Sequence, residues 1–263
     1  MARGLRHAVL LSVGWVALGG CQAPGASYDG VGIAYEPVEA SFTESGCPPS
    51  RCATVTVSAL RFPDFPALSE RLRGELLAMG MGIGTGEQAP AESWEGYARD
   101  FMAQAQASRR LVPALNAASQ ARLEASVYAR HDDLLIVELD GYVYHTGQAH
   151  GLPLTSFMVI DERLGRVVDV DDMLIDGREG AFQEALTRAH RRWLKRIDAD
   201  AAFIENWPLS GTRNVAPLET GWVVRYNVYE IAPYAAGQPE LRIPNDELAG
   251  IVEPRYLGSR TGR

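Results

Sequence analysis

The chain has 263 residues, of which 46% are hydrophobic and 22% charged, and it carries a formal net charge of −8 at pH 7. That balance argues against a nucleic-acid partner, whose phosphates demand a basic face. It leaves an acidic protein with enough apolar residues to build a sizeable core.

The first 21 residues, MARGLRHAVLLSVGWVALGGC, read as a bacterial lipoprotein signal. Arg3 and Arg6 form the positive n-region, Ala8 to Leu18 the apolar segment, and Leu18-Gly19-Gly20-Cys21 the lipobox whose cleavage leaves a lipidated Cys21. The apolar segment is shorter than the roughly 20 residues that span a bilayer, so it addresses the chain rather than anchoring it as a helix. Gln22, where an aspartate would signal inner-membrane retention, points to the periplasmic face of the outer membrane. The expected setting is the cell envelope, with the membrane as a partner only through the lipid. Residues 22–30 are small and polar and read as a tether.

Val31 to Phe42 and Ala53 to Phe62 read as strands, the second alternating Val55, Val57 and Ala59 with Thr54, Thr56 and Ser58. Between them, Cys47 and Cys52 flank two prolines in GCPPSRC. This spacing suits a disulfide across a hairpin loop in an oxidising compartment, while a metal site would need more ligands and a thioredoxin-type pair closer cysteines. Two helices should follow, one with Leu68, Leu72 and Leu76 on its apolar stripe, the other opening near Glu92 with Trp94, Ala98, Phe101 and Ala105. The glycine-rich stretch between them lacks the lysine and helix context of a phosphate cradle.

From Gln120 the period changes to two: Leu123, Ala125, Val127 and Ala129 oppose Glu124, Ser126, Tyr128 and Arg130. A turn at His131 to Asp133, a strand over Leu134 to Tyr144, a loop and a strand over Leu154 to Asp161 complete an antiparallel meander. A helix over Arg178 to Ile197 carries the apolar stripe Phe182, Leu186, Ala189, Trp193 and Ile197 and presents arginines to solvent. Strands over Gly221 to Tyr229 and Glu240 to Ile243 and a short helix capped by Asn245 complete the pattern. Strands interrupted by blocks of helix imply an α+β fold, with antiparallel sheets and helices packed on one face. The organisation expected is two α+β halves, 31–143 and 144–253, followed by a tail over 254–263.

Chemistry-bearing residues are few. His145 and His150 share one loop between strands, a place where functional groups sit on a rigid scaffold; the competing reading is that they hold the turn. Asp169, Asp171, Asp172 and Asp176 fail the calcium-loop template, since Met173 stands where an oxygen ligand is needed, and Asp171 or Asp172 is expected to cap the turn that buries Met173 and Leu174. Ser156 and Ser210 lack a nucleophile-elbow context. No metal or cofactor is implied, and no catalytic residue is assigned.

Four segments carry a family resemblance. Tyr229 to Gly237, YEIAPYAAG, followed by Ile243-Pro244, resembles the C-terminal signature of the extracellular domain shared by RsiV-type anti-sigma factors and PdaC-type peptidoglycan deacetylases. Tyr144 to Gly151 is similar to that family's Y-x-TGGAHG loop, Asp161 to Leu174 to its strand, turn and DLF element, and Asn206 to Asn214 to its W...N segment. The resemblance is good over Tyr144 to Ile251 and looser before it. Gln148 departs from the pattern, standing where a second glycine is usual. The resemblance implies an α+β fold like the RsiV ectodomain and a binding module that recognises lysozyme, a cationic protein, or a cell-wall glycan. His145, Gln148, His150, Tyr229 and Tyr234 are the candidate ligand contacts; Tyr229 and Tyr234 have the alternative role of shaping the bend after the last long strand. In PdaC-type proteins catalysis belongs to a separate domain, and signalling by the anti-sigma factors needs a membrane-spanning helix; neither is expected here. The alternatives are a peptidoglycan-modifying enzyme and a structural envelope lipoprotein with no diffusible ligand.

Overall fold

The computed structural model describes residues 32–82, 89–112, 114–115 and 117–258. The signal segment, Cys21 and the tether lie outside the described residues, as does part of the glycine-rich stretch. Among the described residues, no helix is long and apolar enough to cross a membrane.

A six-stranded sheet forms the centre: β1 (Glu36–Thr43), β2 (Thr54–Arg61), β3 (Gln120–His131), β4 (Leu134–Tyr144), β5 (Leu152–Asp161) and β6 (Arg166–Val167), in sequence order. All neighbours are antiparallel except β2 and β3, which run parallel. Parallel neighbours need a crossover of a dozen or more residues, and the intervening chain supplies one containing α1 (Pro66–Gly80) and α2 (Trp94–Leu111). The apolar stripes Leu68, Leu72, Leu76 and Tyr97, Ala98, Phe101, Ala105 are buried against the sheet with Val55, Val57 and Leu123.

β4 shows why the centre of the sheet reads as a continuous apolar run, LLIV. Leu135, Val137 and Leu139 face the α1/α2 core, whereas Leu134 and Ile136 join Phe157 and Val159 in a second core, so the strand is buried on both faces. The second core is closed by α4 (Glu179–Arg196), through Phe182, Leu186 and Trp193, and by a three-stranded antiparallel sheet of β7 (Val215–Leu218), β8 (Gly221–Arg225) and β9 (Glu240–Pro244). The α+β class holds, with helices serving both cores rather than one face. β4 and β5 pair along their length across position 144, so one sheet runs through both expected halves. Tyr256, in the segment expected as a tail, is buried and its carbonyl accepts the Trp222 indole N–H at 3.1 Å.

Four local expectations need correction. Ile197, expected on the apolar stripe of α4, lies at the cap just past its end and is 40% exposed. The strand expected to reach Tyr229 ends at Arg225; Trp222, Val224, Tyr226 and Val228 are all buried, so their alternation continues through a backbone that has already turned. Asn245 does not cap the next helix (Asn245–Leu248): Pro244 occupies the cap position, and the Asn245 amide donates to the Glu219 carbonyl at 2.7 Å. Asp169, not Asp171, is the N-cap of α3 (Val170–Met173). The Asp172 carboxylate reaches back to accept the Asp169 N–H at 3.0 Å, and Met173 and Leu174 are buried as expected.

Cys47 and Cys52 form a disulfide that closes the β1–β2 hairpin. Beside it, buried Glu44 accepts the Ala53 N–H and pairs with Arg109 of α2, which also donates to the Arg51 carbonyl at 2.6 Å. The Arg109 guanidinium outweighs burial and holds the Glu44 carboxyl below its usual range. This pair fastens the end of α2 to the disulfide hairpin.

Candidate ligand-binding site at the His150 loop

The loop from His145 to Gly151 joins β4 to β5 and is fixed largely by its own groups. The Gln148 N–H donates to the His145 carbonyl at 3.0 Å, and the Gln148 side-chain oxygen accepts the His145 N–H at 2.8 Å. Gly147 sits at φ +100°, where a side chain is strained. Thr146 is buried, its N–H donating to the Ser119 hydroxyl at 2.9 Å and its hydroxyl to the Ala117 carbonyl at 2.8 Å. At Gly151 a Cβ would lie 2.1 Å from the Tyr142 ring, so only glycine permits this packing.

These constraints send the two histidines to different environments. The His145 ring packs 4.9 Å from Phe101 of α2, and its Nδ1 is buried without a partner; burial therefore lowers its pKa and favours the neutral ring. His150 instead stacks on Tyr234, with ring centroids 3.7 Å apart. Its Nδ1 lies 3.0 Å from the Gly151 carbonyl and its Nε2 3.1 Å from the Tyr229 hydroxyl. With the proton on Nδ1, as this network assigns it, both ring nitrogens are satisfied: Nδ1–H donates to Gly151 and Nε2 accepts from Tyr229. The Tyr234 hydroxyl donates to the same Gly151 carbonyl at 3.0 Å.

Tyr229 completes the cluster from the segment after β8. Its φ is +71°, a left-handed conformation uncommon for a bulky residue, and its side chain remains 46% exposed, making it one of the large exposed aromatics. The conformation is imposed by a tight turn: the Tyr229 N–H donates to Ala232 at 3.1 Å and the Glu230 N–H to Asn227 at 3.2 Å, while the Glu230 carboxylate accepts the Asn227 N–H. The Tyr229 and Tyr234 ring centroids are 5.8 Å apart. The structure thus brings His150, Tyr229 and Tyr234 together, leaves Gln148 exposed on the adjoining loop, and places His145 against α2. Three aromatic rings with hydrogen-bonded polar edges can stack on a ligand and fix its orientation. Among the described residues, no three His, Cys, Asp or Glu side chains converge as a metal site would require.

Two asparagines, Asn214 at the end of the W...N segment and Asn227 within the strand expected over Gly221 to Tyr229, bond the β5 backbone. Asn227 Oδ1 accepts the Thr155 N–H at 2.7 Å and the Gln238 amide at 2.9 Å. Asn214 Oδ1 accepts the Phe157 N–H at 2.8 Å, and its Nδ2 donates to the Thr155 carbonyl at 2.8 Å. Their side chains take the place of a neighbouring strand on the outer edge of β5 and tie it to the segments flanking β7 and β8. The motif points to Asn214 without showing what it bonds, and nothing in the sequence singles out Asn227.

Residues 171–246 match the family model described as a protein of unknown function, DUF3298. The chain is similar to the crystal structure of a DUF3298 family protein from Pseudomonas aeruginosa PAO1, with 34% identity over 88% of this chain and 100% of that one, and a TM-score of 0.74. A DUF3298 family structure from Bacteroides fragilis shares the fold at 19% identity, covering 86% of this chain and 96% of that one, with a TM-score of 0.62. No functionally curated protein matches.

Proposed function

The chain belongs to the DUF3298 family, and from that premise we propose that it is a lipid-tethered binding module of the cell envelope, without chemistry of its own, whose His150, Tyr229 and Tyr234 surface contacts a cell-wall glycan. The observation that carries this reading is Tyr229: its backbone is held at φ +71° while its ring stays 46% exposed and its hydroxyl is fixed by His150. A left-handed non-glycine residue costs on the order of 1–3 kcal/mol and persists where the surroundings over-determine it, as at ligand clamps. An aromatic face with an oriented hydroxyl at its edge suits a sugar, whose C–H face stacks and whose hydroxyls bond. The lipobox ending at Cys21 supports an envelope location, and the resemblance to RsiV and PdaC domains supports a cell-wall setting. His145, packed on Phe101, drops out of the contact set; Gln148 stays at its rim.

Lysozyme is the second reading, favoured by the net charge of −8, which would steer a basic protein onto the module. Co-sedimentation with purified peptidoglycan sacculi and lysozyme pull-down, each across a salt series, separate the two. The glycan reading expects sacculus binding that persists at high salt; the lysozyme reading expects capture that fades with salt. Retention by neither removes both.

A further inference from the structure

The outer edge of β5 presents a rung with a defined hydrogen-bonding pattern. The strand turns the backbone groups of Thr155, Phe157, Val159 and Asp161 away from β4. Asn214 occupies one rung: its side-chain amide donates to Thr155 O and accepts from Phe157 N, the two bonds that one residue of a parallel strand would make across position 156. At the other end, Val159 O accepts the Val168 N–H at 2.9 Å, where β6 begins to pair. Between these rungs, Phe157 O and Val159 N have no protein partner among the described residues.

This rung opens on a cleft beside the sheet. The cleft has a volume of about 370 Å³ and lies between α1 and the segments around α3 and β7, with Ser156 to Val159 along its base. Met79, Val170 and Met173 supply apolar wall. On the charged rim Arg71 pairs with Glu75 and Arg213 with Asp171, and Asp169 caps α3. The volume falls at the lower end of small-ligand sites. Arginines already paired and a capping carboxylate around a donor and an acceptor suit an uncharged amide rather than an anion.

We propose that this cleft binds a short extended peptide running parallel to β5, one residue of which donates its N–H to Phe157 O and accepts the Val159 N–H. Both bonds come from a single ligand residue, as in the Asn214 rung, and its side chain is small or aliphatic, to fit against Met79, Val170 and Met173. Strand addition of this kind takes affinity from the main chain and selectivity from pockets for alternate side chains. The site is distinct from the His150 surface: eight residues of β5 and its approach separate Gly151 from Val159, about 25 Å of extended chain. It stands or falls independently of the glycan reading.

The probe is N-acetyl-trialanine amide, titrated to about 10 mM into the ¹⁵N-labelled soluble domain and followed by amide shifts and hydrogen exchange. Saturable shifts at Val159 and Met173, with slower exchange of the Val159 amide, are the expected result. Ala78→Trp, on the exposed rim of the cleft, abolishes them, and its thermal transition confirms that the variant is folded. The probe shifts persist in Tyr229→Gly. No shift at Val159 up to the highest concentration, or shifts that survive in a folded Ala78→Trp variant, overturns the proposal.

Discussion

Asn214 stands in for a strand, so its removal has a calculable cost. Asn214→Ala takes an acceptor from the Phe157 N–H and a donor from the Thr155 carbonyl. Those residues are 8% and 2% exposed. A buried backbone group that loses its partner costs about 1–3 kcal/mol; since Asn214 is half-buried beside an open cleft, water recovers part of this, and the expected loss is about 2–4 kcal/mol in total. For a domain of this size that is a fall in Tm of roughly 4–16 °C. Asn214→Asp keeps the acceptor but turns a carboxylate oxygen toward the Thr155 carbonyl, so at neutral pH it should destabilise at least as much as alanine. Thermal melts by circular dichroism measure the loss, and hydrogen exchange localises it to the Phe157 amide. A melt within about 1 °C of the parent, or unchanged exchange at Phe157, would refute the strand-mimic account.

Other consequences are as direct. Arg109→Ala leaves Glu44 buried and uncompensated beside the disulfide hairpin, and should cost about 3–5 kcal/mol in urea unfolding; Glu44→Gln in the same background should recover part of it. Since Arg109 lowers the Glu44 pKa, the stability from that pair is complete above the usual value of 4.5 and is lost as pH falls through the depressed one. Burial also lowers the pKa of His145 and His190. Their contribution is complete above the usual 6.5 and lost as pH falls through the lowered value, so His145→Phe and His190→Phe should each flatten the stability profile on the acid side of 6.5. Gly151→Ala drives a Cβ into the Tyr142 ring and should cost about 1–3 kcal/mol; a double-mutant cycle with Tyr142→Ala should return most of that as coupling.

What the sequence makes legible is what side-chain period encodes. The stripes of α1, α2 and α4 and the runs of β3 to β5 follow directly from which residues must leave water. Period carries no information about partners, so the parallel pairing of β2 with β3 was invisible. It also persists where the backbone departs from a strand: Tyr226 and Val228 extend the alternation of Trp222 and Val224 past Arg225. Within the candidate site, the residues His150, Tyr229 and Tyr234 could be named from motifs, but their convergence depends on a turn closed by Asn227, Glu230 and Ala232. The five-residue spacing of His145 and His150 does not show that one ring packs on α2 while the other stacks on Tyr234. The W...N motif marks Asn214 and the expected strand contains Asn227, but an amide that replaces a strand leaves no pattern that shows what it bonds.

The central claim is that Tyr229 is held at φ +71° for binding rather than for folding, and Tyr229→Gly tests it most directly. Glycine takes that backbone conformation without a Cβ penalty, so the relieved strain should offset the lost ring contacts and leave Tm nearly unchanged. Isothermal titration of soluble peptidoglycan glycan fragments should then show at least a tenfold weaker affinity in the variant, about 1.4 kcal/mol. Undiminished glycan affinity in Tyr229→Gly, or a steep fall in Tm that makes the tyrosine a folding residue, would contradict the account.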